Sequence, residues 1–215
     1  MERKPVVIGL DGIVWSNKGK DCLYMLAFQR MVAKRLIPIE YDQGATEKHD
    51  VLRAIGKGVE GRPTSEIEPI IQGASQNCVN NIHDRFVDRL RRISPSRYQL
   101  IAMSSAPDFM VKKATRMIER KTGIPFSPNV LASTYSVEDG VYSGRYRALD
   151  KGKAVASMLS ELGLSTVEEA YVNGMSDLDW SSRYSRTTVV VNPGKSLEGV
   201  VSSNPQPNIH VMIAD

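Results

Sequence analysis

The sequence predicts an α/β protein: a mostly parallel sheet covered by helices on both faces, opened after its first strand by an all-helical insertion. Three observations predict it. A short apolar run in "VVIGLDGIVW" (6–15) enters a glycine turn. Residues 20–94 carry only helical periodicity. Residues 97–215 alternate strand-like and helix-like segments. That alternation implies a parallel sheet with both faces buried. The first strand joins such a sheet only if the helical stretch is inserted. The expected division is a core of 1–15 plus 96–215 and a cap of 16–95.

Each element follows from a local pattern. Met25, Phe28, Val32 and Leu36 recur at helical spacing. "TEKHDVLRAI" opens a helix with Thr46 as its cap, and "RPTSEIEPIIQG" predicts a short helix broken at Pro69. Val79, Ile82, Phe86, Leu90 and Ile93 mark one long helix, with Pro95 just beyond it. "YQLIAM" (98–103) reads as a buried strand. The next helix has Pro107 near its start and Gly123 just past its end. "VLASTYSVEDGVYSGRY" reads as a hairpin turning at Asp139-Gly140. "KAVASMLSELG" is a helix ended by Gly163. "EAYVNGMSD", "TTVVVNP" and "NIHVMIAD" supply three further strands.

Composition narrows the function classes. Hydrophobic residues make up 41% of the 215 and charged residues 24%, as in ordinary globular proteins. The net charge of +4 is mild, and the densest basic run, Arg85 to Arg97, reads as a solvated helix face, so nucleic acid is not the expected partner. No apolar run suits a signal peptide or a membrane span. Cys22 and Cys78 fit no metal-ligand spacing and read as free thiols, which gives a cytoplasmic expectation. His49, His83 and His210 are scattered and receive no chemistry.

In open parallel sheets, sites lie beyond the carboxyl ends of the strands. At those ends stand Gly9, Asp11 and Gly12; Ser104 and Ser105; Lys151 and Lys153 at a helix start; and Asn173, Asp177 and Asp179 in an acidic turn. An acid, a hydroxyl, a lysine and an acidic turn, in that order, form a phosphate-handling set. The order resembles the haloacid dehalogenase (HAD) superfamily, and within it the phosphoserine phosphatase-like branch, whose helical cap follows the first strand. The resemblance covers nearly the whole chain and implies a Rossmannoid core.

The resemblance assigns roles by position. The family's Asp-x-Asp-Gly-Thr aligns with Gly9, Asp11, Gly12 and Ile13. Its hydroxyl aligns with Ser104, its lysine with Lys151 (Lys153 being the second choice), and the last acid of its final motif with Asp177. Two departures stand out. The first Asp, the family's nucleophile, is Gly9; the first acid of the last motif, a Mg²⁺ ligand, is Asn173. Magnesium wants hard anionic oxygens, so no cofactor is expected. Asp11 keeps the acid/base place.

The reading that follows is a degenerate member without phosphatase activity. Asp11, Ser104 and Lys151 are its candidate catalytic residues, and Gly9, Gly12, Ser105, Lys153, Asn173 and Asp177 line the site. The partner is a small molecule, anionic or carbonyl-bearing; the sequence sets no oligomeric state. The alternative is a working hydrolase, phosphatase or dehalogenase-like, with Asp11 as nucleophile and weak Mg²⁺ binding. Each residue also has a structural reading: Asp11 as a turn cap, Ser104 or Ser105 as a helix cap, Trp15 and Trp180 as core.

Overall fold

The computed structural model describes residues 3–15, 22–38, 48–203 and 205–214. Seven strands form one sheet: β1 (Lys4–Gly9), β2 (Tyr98–Pro107), β3 (Leu131–Glu138), β4 (Val141–Arg147), β5 (Val167–Val172), β6 (Ser185–Val191) and β7 (Ile209–Met212). Their spatial order is β4-β3-β2-β1-β5-β6-β7, so the first strand is central. Val6 lies opposite Leu100 of β2 and Glu169 of β5, both parallel. Only the β3–β4 hairpin is antiparallel, and it turns at Asp139 (φ 50°) and Gly140 (φ 77°), the two left-handed residues that such a two-residue turn requires.

Eight helices are seen among the described residues: α1 (Leu23–Ala33), α2 (Lys48–Val59), α3 (Thr64–Asn80), α4 (Asp84–Arg91), α5 (Asp108–Thr122), α6 (Lys151–Glu161), α7 (Met175–Tyr184) and α8 (Lys195–Ser203). The strands alternate between two apolar clusters. Val6, Ile8, Leu100, Ala102, Tyr171 and Val189 face α1, α3, α4 and α5. Val7, Ile101, Met103, Ala170, Val172 and Val190 face α6, α7 and α8. Each buried aliphatic side chain contributes roughly 1.5–3 kcal/mol, so both faces are strongly specified. No helix among the described residues is long and apolar enough to cross a membrane.

The helices between β1 and β2 do not form an isolated apolar body. Leu23, Phe28, Ile55, Ile67, Ile71 and Phe86 belong to the same cluster as β1 and β2. Helix α4 lies on the sheet itself, where the Phe86 ring meets Tyr171 edge-on at 5.3 Å.

Several expected elements differ. The long helix through Val79 and Ile93 is two helices, α3 and α4. At the break, His83 N–H donates to the carbonyl of Val14, and Ile82 pairs with Trp15, so the chain leaves helical geometry to bond the turn after β1. Pro69 breaks nothing: α3 runs from Thr64 to Asn80 through it. Its ring is on the exposed side, while Ile67, Ile70, Ile71 and Ala74 anchor the opposite face in the core. Helix α1 ends at Ala33 and buries Leu23, Ala27, Phe28 and Met31, leaving Leu36 beyond it. Thr46, the expected cap of α2, lies outside the described residues. Strand β2 continues past Met103 to Pro107, with an irregularity after Ser104. Helix α8 carries no clear sequence signal and was not expected.

Candidate active site

The carboxyl ends of β1, β2 and β5 bring most of the expected residues together. Asp11 sits two residues past Gly9, the end of β1, and before Gly12, whose φ of 76° suits a glycine. Its carboxylate takes three hydrogen bonds. Oδ1 accepts from the Trp15 indole Nε1 at 3.1 Å and from the Leu23 N–H at 2.8 Å; Oδ2 accepts from Ser104 Oγ at 3.0 Å. A carboxylate offers about four acceptor sites, so the described residues leave one position on Oδ2 unused. Through Leu23, the first residue of α1, Asp11 also supplies the cap that Cys22 does not.

Ser104 is placed by the irregularity in β2, and its Oγ also accepts from Ala106 N–H at 3.0 Å. The adjacent Ser105 carbonyl accepts from Ser133 Oγ at 2.8 Å, which ties β3 to the same corner. Asn173, just after β5, donates from Nδ2 to the Asp11 carbonyl at 3.0 Å. Lys151, at the start of α6, lies 2.6 Å from Asp177 Oδ1, with Asp177 almost wholly buried in the first turn of α7. Trp180 donates its indole N–H to the same oxygen at 3.4 Å. Both tryptophans are therefore core residues that also hold a site carboxylate. Their spacing, four residues after Asp11 and three after Asp177, was the legible sign.

Lys153 is not brought to the site. Its side chain is 88% exposed and pairs with Asp150, whose carboxylate caps α6 by accepting the Lys153 N–H. Residues 151 and 153 are two apart on a helix, so they cannot share a face, and Lys151 is the lysine that points inward. Asp179 is likewise on the surface, facing Arg183.

Gly9 is closed by its neighbour. A Cβ at this position would lie 2.6 Å from Ile13 Cδ1 and 3.3 Å from the Tyr171 carbonyl oxygen. Ile13, fully buried, thus fills the space where a side chain at position 9 would emerge. The residues at positions 9 and 13 are coupled sterically: the one aligned with the family's Thr occupies the room of its nucleophile.

Three residues missed by the sequence reading complete the surroundings. Lys48, at the start of α2, is an exposed residue whose ammonium pKa is nevertheless lowered, first by its partial burial and then by the positive charge of Lys151; Asp177 and Asp11 act in the opposite sense. The two ammonium groups are therefore near enough to repel each other. Burial, then the Asp11 charge, push the Cys22 thiol up to about 11. The Tyr24 hydroxyl is raised by burial and by the neighbouring Cys22. Helical periodicity alone marks none of these as site residues.

These residues do not fit Mg²⁺. Position 9 has no side chain, Asn173 directs an N–H donor at the carbonyl of Asp11, and Asp177 is engaged by Lys151 and Trp180. A hydrogen bond from Asn173 thus links β5 to β1 at the place where the family resemblance calls for a metal. Among the described residues, no group of three or more His, Cys, Asp or Glu side chains is gathered to hold a metal ion.

Solved structures carry the same chain path. A phosphoserine phosphatase in its apo form matches with a TM-score of 0.61 at 13% identity, over 100% of this chain and 96% of that one. The fold is that of the phosphoserine phosphatases in the HAD superfamily. A protein of unknown function from Bordetella pertussis Tohama I matches this HAD-like chain with a TM-score of 0.70 at 15% identity over 99% of each chain. A cytosolic 5'-nucleotidase IIIB bound to cytidine matches with a TM-score of 0.60 at 13% identity, over 99% of this chain and 80% of that one. No protein-family model and no curated protein sequence matches it.

Proposed function

We propose that this HAD-like protein has given up phosphoryl transfer and binds an anionic or carbonyl-bearing small molecule at the carboxyl ends of β1, β2 and β5. The observation that carries the reading is the closed position 9, where Ile13 fills the space above Gly9. Covalent phosphatase chemistry needs a nucleophile and a way to neutralise charge on the transferred group. Gly9 offers no nucleophile, and Asn173 and the Lys151–Asp177 pair leave no carboxylate set for a divalent metal.

What remains suits recognition. Lys48 and Lys151 carry two ammonium groups that repel each other, and a bound anion relieves that repulsion. Asp11 Oδ2 keeps one acceptor position for a donor on the ligand, with Ser104 orienting it. Any chemistry at this site is non-hydrolytic, with Asp11 moving a proton and Lys151 stabilising developing negative charge. The alternative, Asp11 as a nucleophile, is less favoured: Oδ1 already takes two donors, and the residue two positions on is Ile13, which cannot serve as the acid/base.

Thermal-shift titrations test the proposal with Mg²⁺ and, separately, with inorganic phosphate as the anion probe. Phosphate raises the melting temperature, and Lys151→Met or Lys48→Met removes most of that rise. Mg²⁺ gives no saturable shift. Saturation by Mg²⁺ at micromolar concentration, with the stabilisation that linkage then requires, contradicts the proposal. So does a phosphate effect indifferent to both lysines.

A further inference from the structure

The opposite end of the sheet holds a cavity of about 210 Å³. It opens where β1 and β2 begin and is closed by the segment after α5, Gly123 to Pro128. Leu90, Ile93, Leu100, Ile124 and Phe126 give it apolar walls. Arg3 and Arg91 line it too, and no acidic residue among the described ones does. Arg91 is paired with Asp88 at 3.0 Å, whereas Arg3 has no ion-pair partner among the described residues.

One buried polar group in the lining has spare capacity. Ser127 Oγ accepts from Gln99 Nε2 at 3.0 Å and from Asn129 N–H at 3.2 Å. Both lone pairs of the hydroxyl are then used, and its proton has no acceptor among the described residues. A buried donor without an acceptor costs free energy. A ligand oxygen in the cavity satisfies it.

We infer that this cavity binds a small carboxylic acid with a flat or short apolar body, its carboxylate between Arg3 and the Ser127 hydroxyl and its body among Leu100, Ile124 and Phe126. Size sets the class. An apolar cavity of about 150 Å³ holds one benzene ring, so 210 Å³ holds one ring, or a chain of similar bulk, plus a carboxylate. The two lining arginines, with no acid among the described lining residues, set the sign of the head group. The cavity lies at the amino ends of the strands, away from Asp11 and Lys151, so this is a second site and does not depend on the function proposed above.

Benzoate is the probe, benzyl alcohol its uncharged counterpart, and backbone amide NMR shifts the readout on the intact chain. Benzoate is expected to bind at least tenfold tighter than benzyl alcohol, with shifts centred on Leu100, Gly123 and Ser127. Arg3→Gln, at an exposed residue, removes most of that preference without affecting benzyl alcohol. Ile93→Trp, which fills the cavity, abolishes both. The inference is overturned if benzoate produces no shifts at these amides up to about 10 mM, a limit corresponding to very weak binding. Equal affinity for the two probes overturns it, as do benzoate shifts centred on Asp11 and Lys151.

Discussion

Asp11 joins three elements at once: Trp15 in the turn, Leu23 at the start of α1, and Ser104 on β2. Asp11→Ala leaves the Leu23 N–H and the indole N–H without partners, a loss of about 2–4 kcal/mol at the usual cost of unsatisfied donors. Chemical denaturation measures it, and hydrogen exchange at the first turn of α1 shows where it falls. At position 9 the direction is also fixed. Gly9→Asp drives a Cβ to 2.6 Å from Ile13 Cδ1, the movable end of a buried side chain, and to 3.3 Å from the fixed Tyr171 carbonyl oxygen, and costs about 1 kcal/mol, the low end for overpacking. Adding Ile13→Thr returns part of that stability; a single Gly9→Asp variant as stable as wild type contradicts the steric account. Cys22 supplies a pH dependence. Its folded-state pKa is raised from 9.0 to about 11, so the folded protein holds the thiol proton more tightly than the unfolded chain does. The contribution is complete below pH 9.0 and is lost as pH rises through about 11. Denaturation midpoints therefore fall across that window by up to roughly 2–3 kcal/mol of stability, and Cys22→Ala flattens the fall.

Among the elements, α3 is the one whose sequence argues against it. Pro69 removes the hydrogen bond that residue 69 would give to the carbonyl of Ser65, yet the helix continues. Pro69→Ala restores that bond on an exposed face and is expected to stabilise the protein by roughly 1–3 kcal/mol, read as a shift in the thermal midpoint. The same contest between local signal and packing explains what the sequence showed and hid. The strands, the Asp139-Gly140 hairpin and the Gly123 and Gly163 helix ends were legible because each rests on local chemistry: a short continuous apolar run, positive φ, or a cap. The break between α3 and α4 was not, because it exists to let His83 bond Val14, a contact nearly seventy residues away in sequence. Ser104, Asn173 and Lys151 could be placed in the site from strand ends, but Lys48 could not, since its helix reaches the crevice only through tertiary packing.

At the scale of the molecule, a fold shared with phosphoserine phosphatases carries a site that departs from the family pattern at positions 9, 13 and 173. The sheet still delivers Asp11, Ser104, Lys151 and Asp177 to one end, in the order the resemblance implies. The substitutions at 9, 13 and 173 act together: Ile13 packs over Gly9, and Asn173 bonds the Asp11 carbonyl. Phosphomonoester hydrolysis is so slow unaided that enzymes accelerate it by up to ~10²¹-fold, far more than two lysines and a serine supply by positioning. The most direct measurement is turnover of a phosphomonoester panel by the wild-type protein with Mg²⁺ supplied, with chemical trapping of any aspartyl-phosphate. The account predicts no turnover above the uncatalysed rate and no trapped phosphate. Robust turnover that Asp11→Asn abolishes, with phosphate trapped on Asp11, would contradict it.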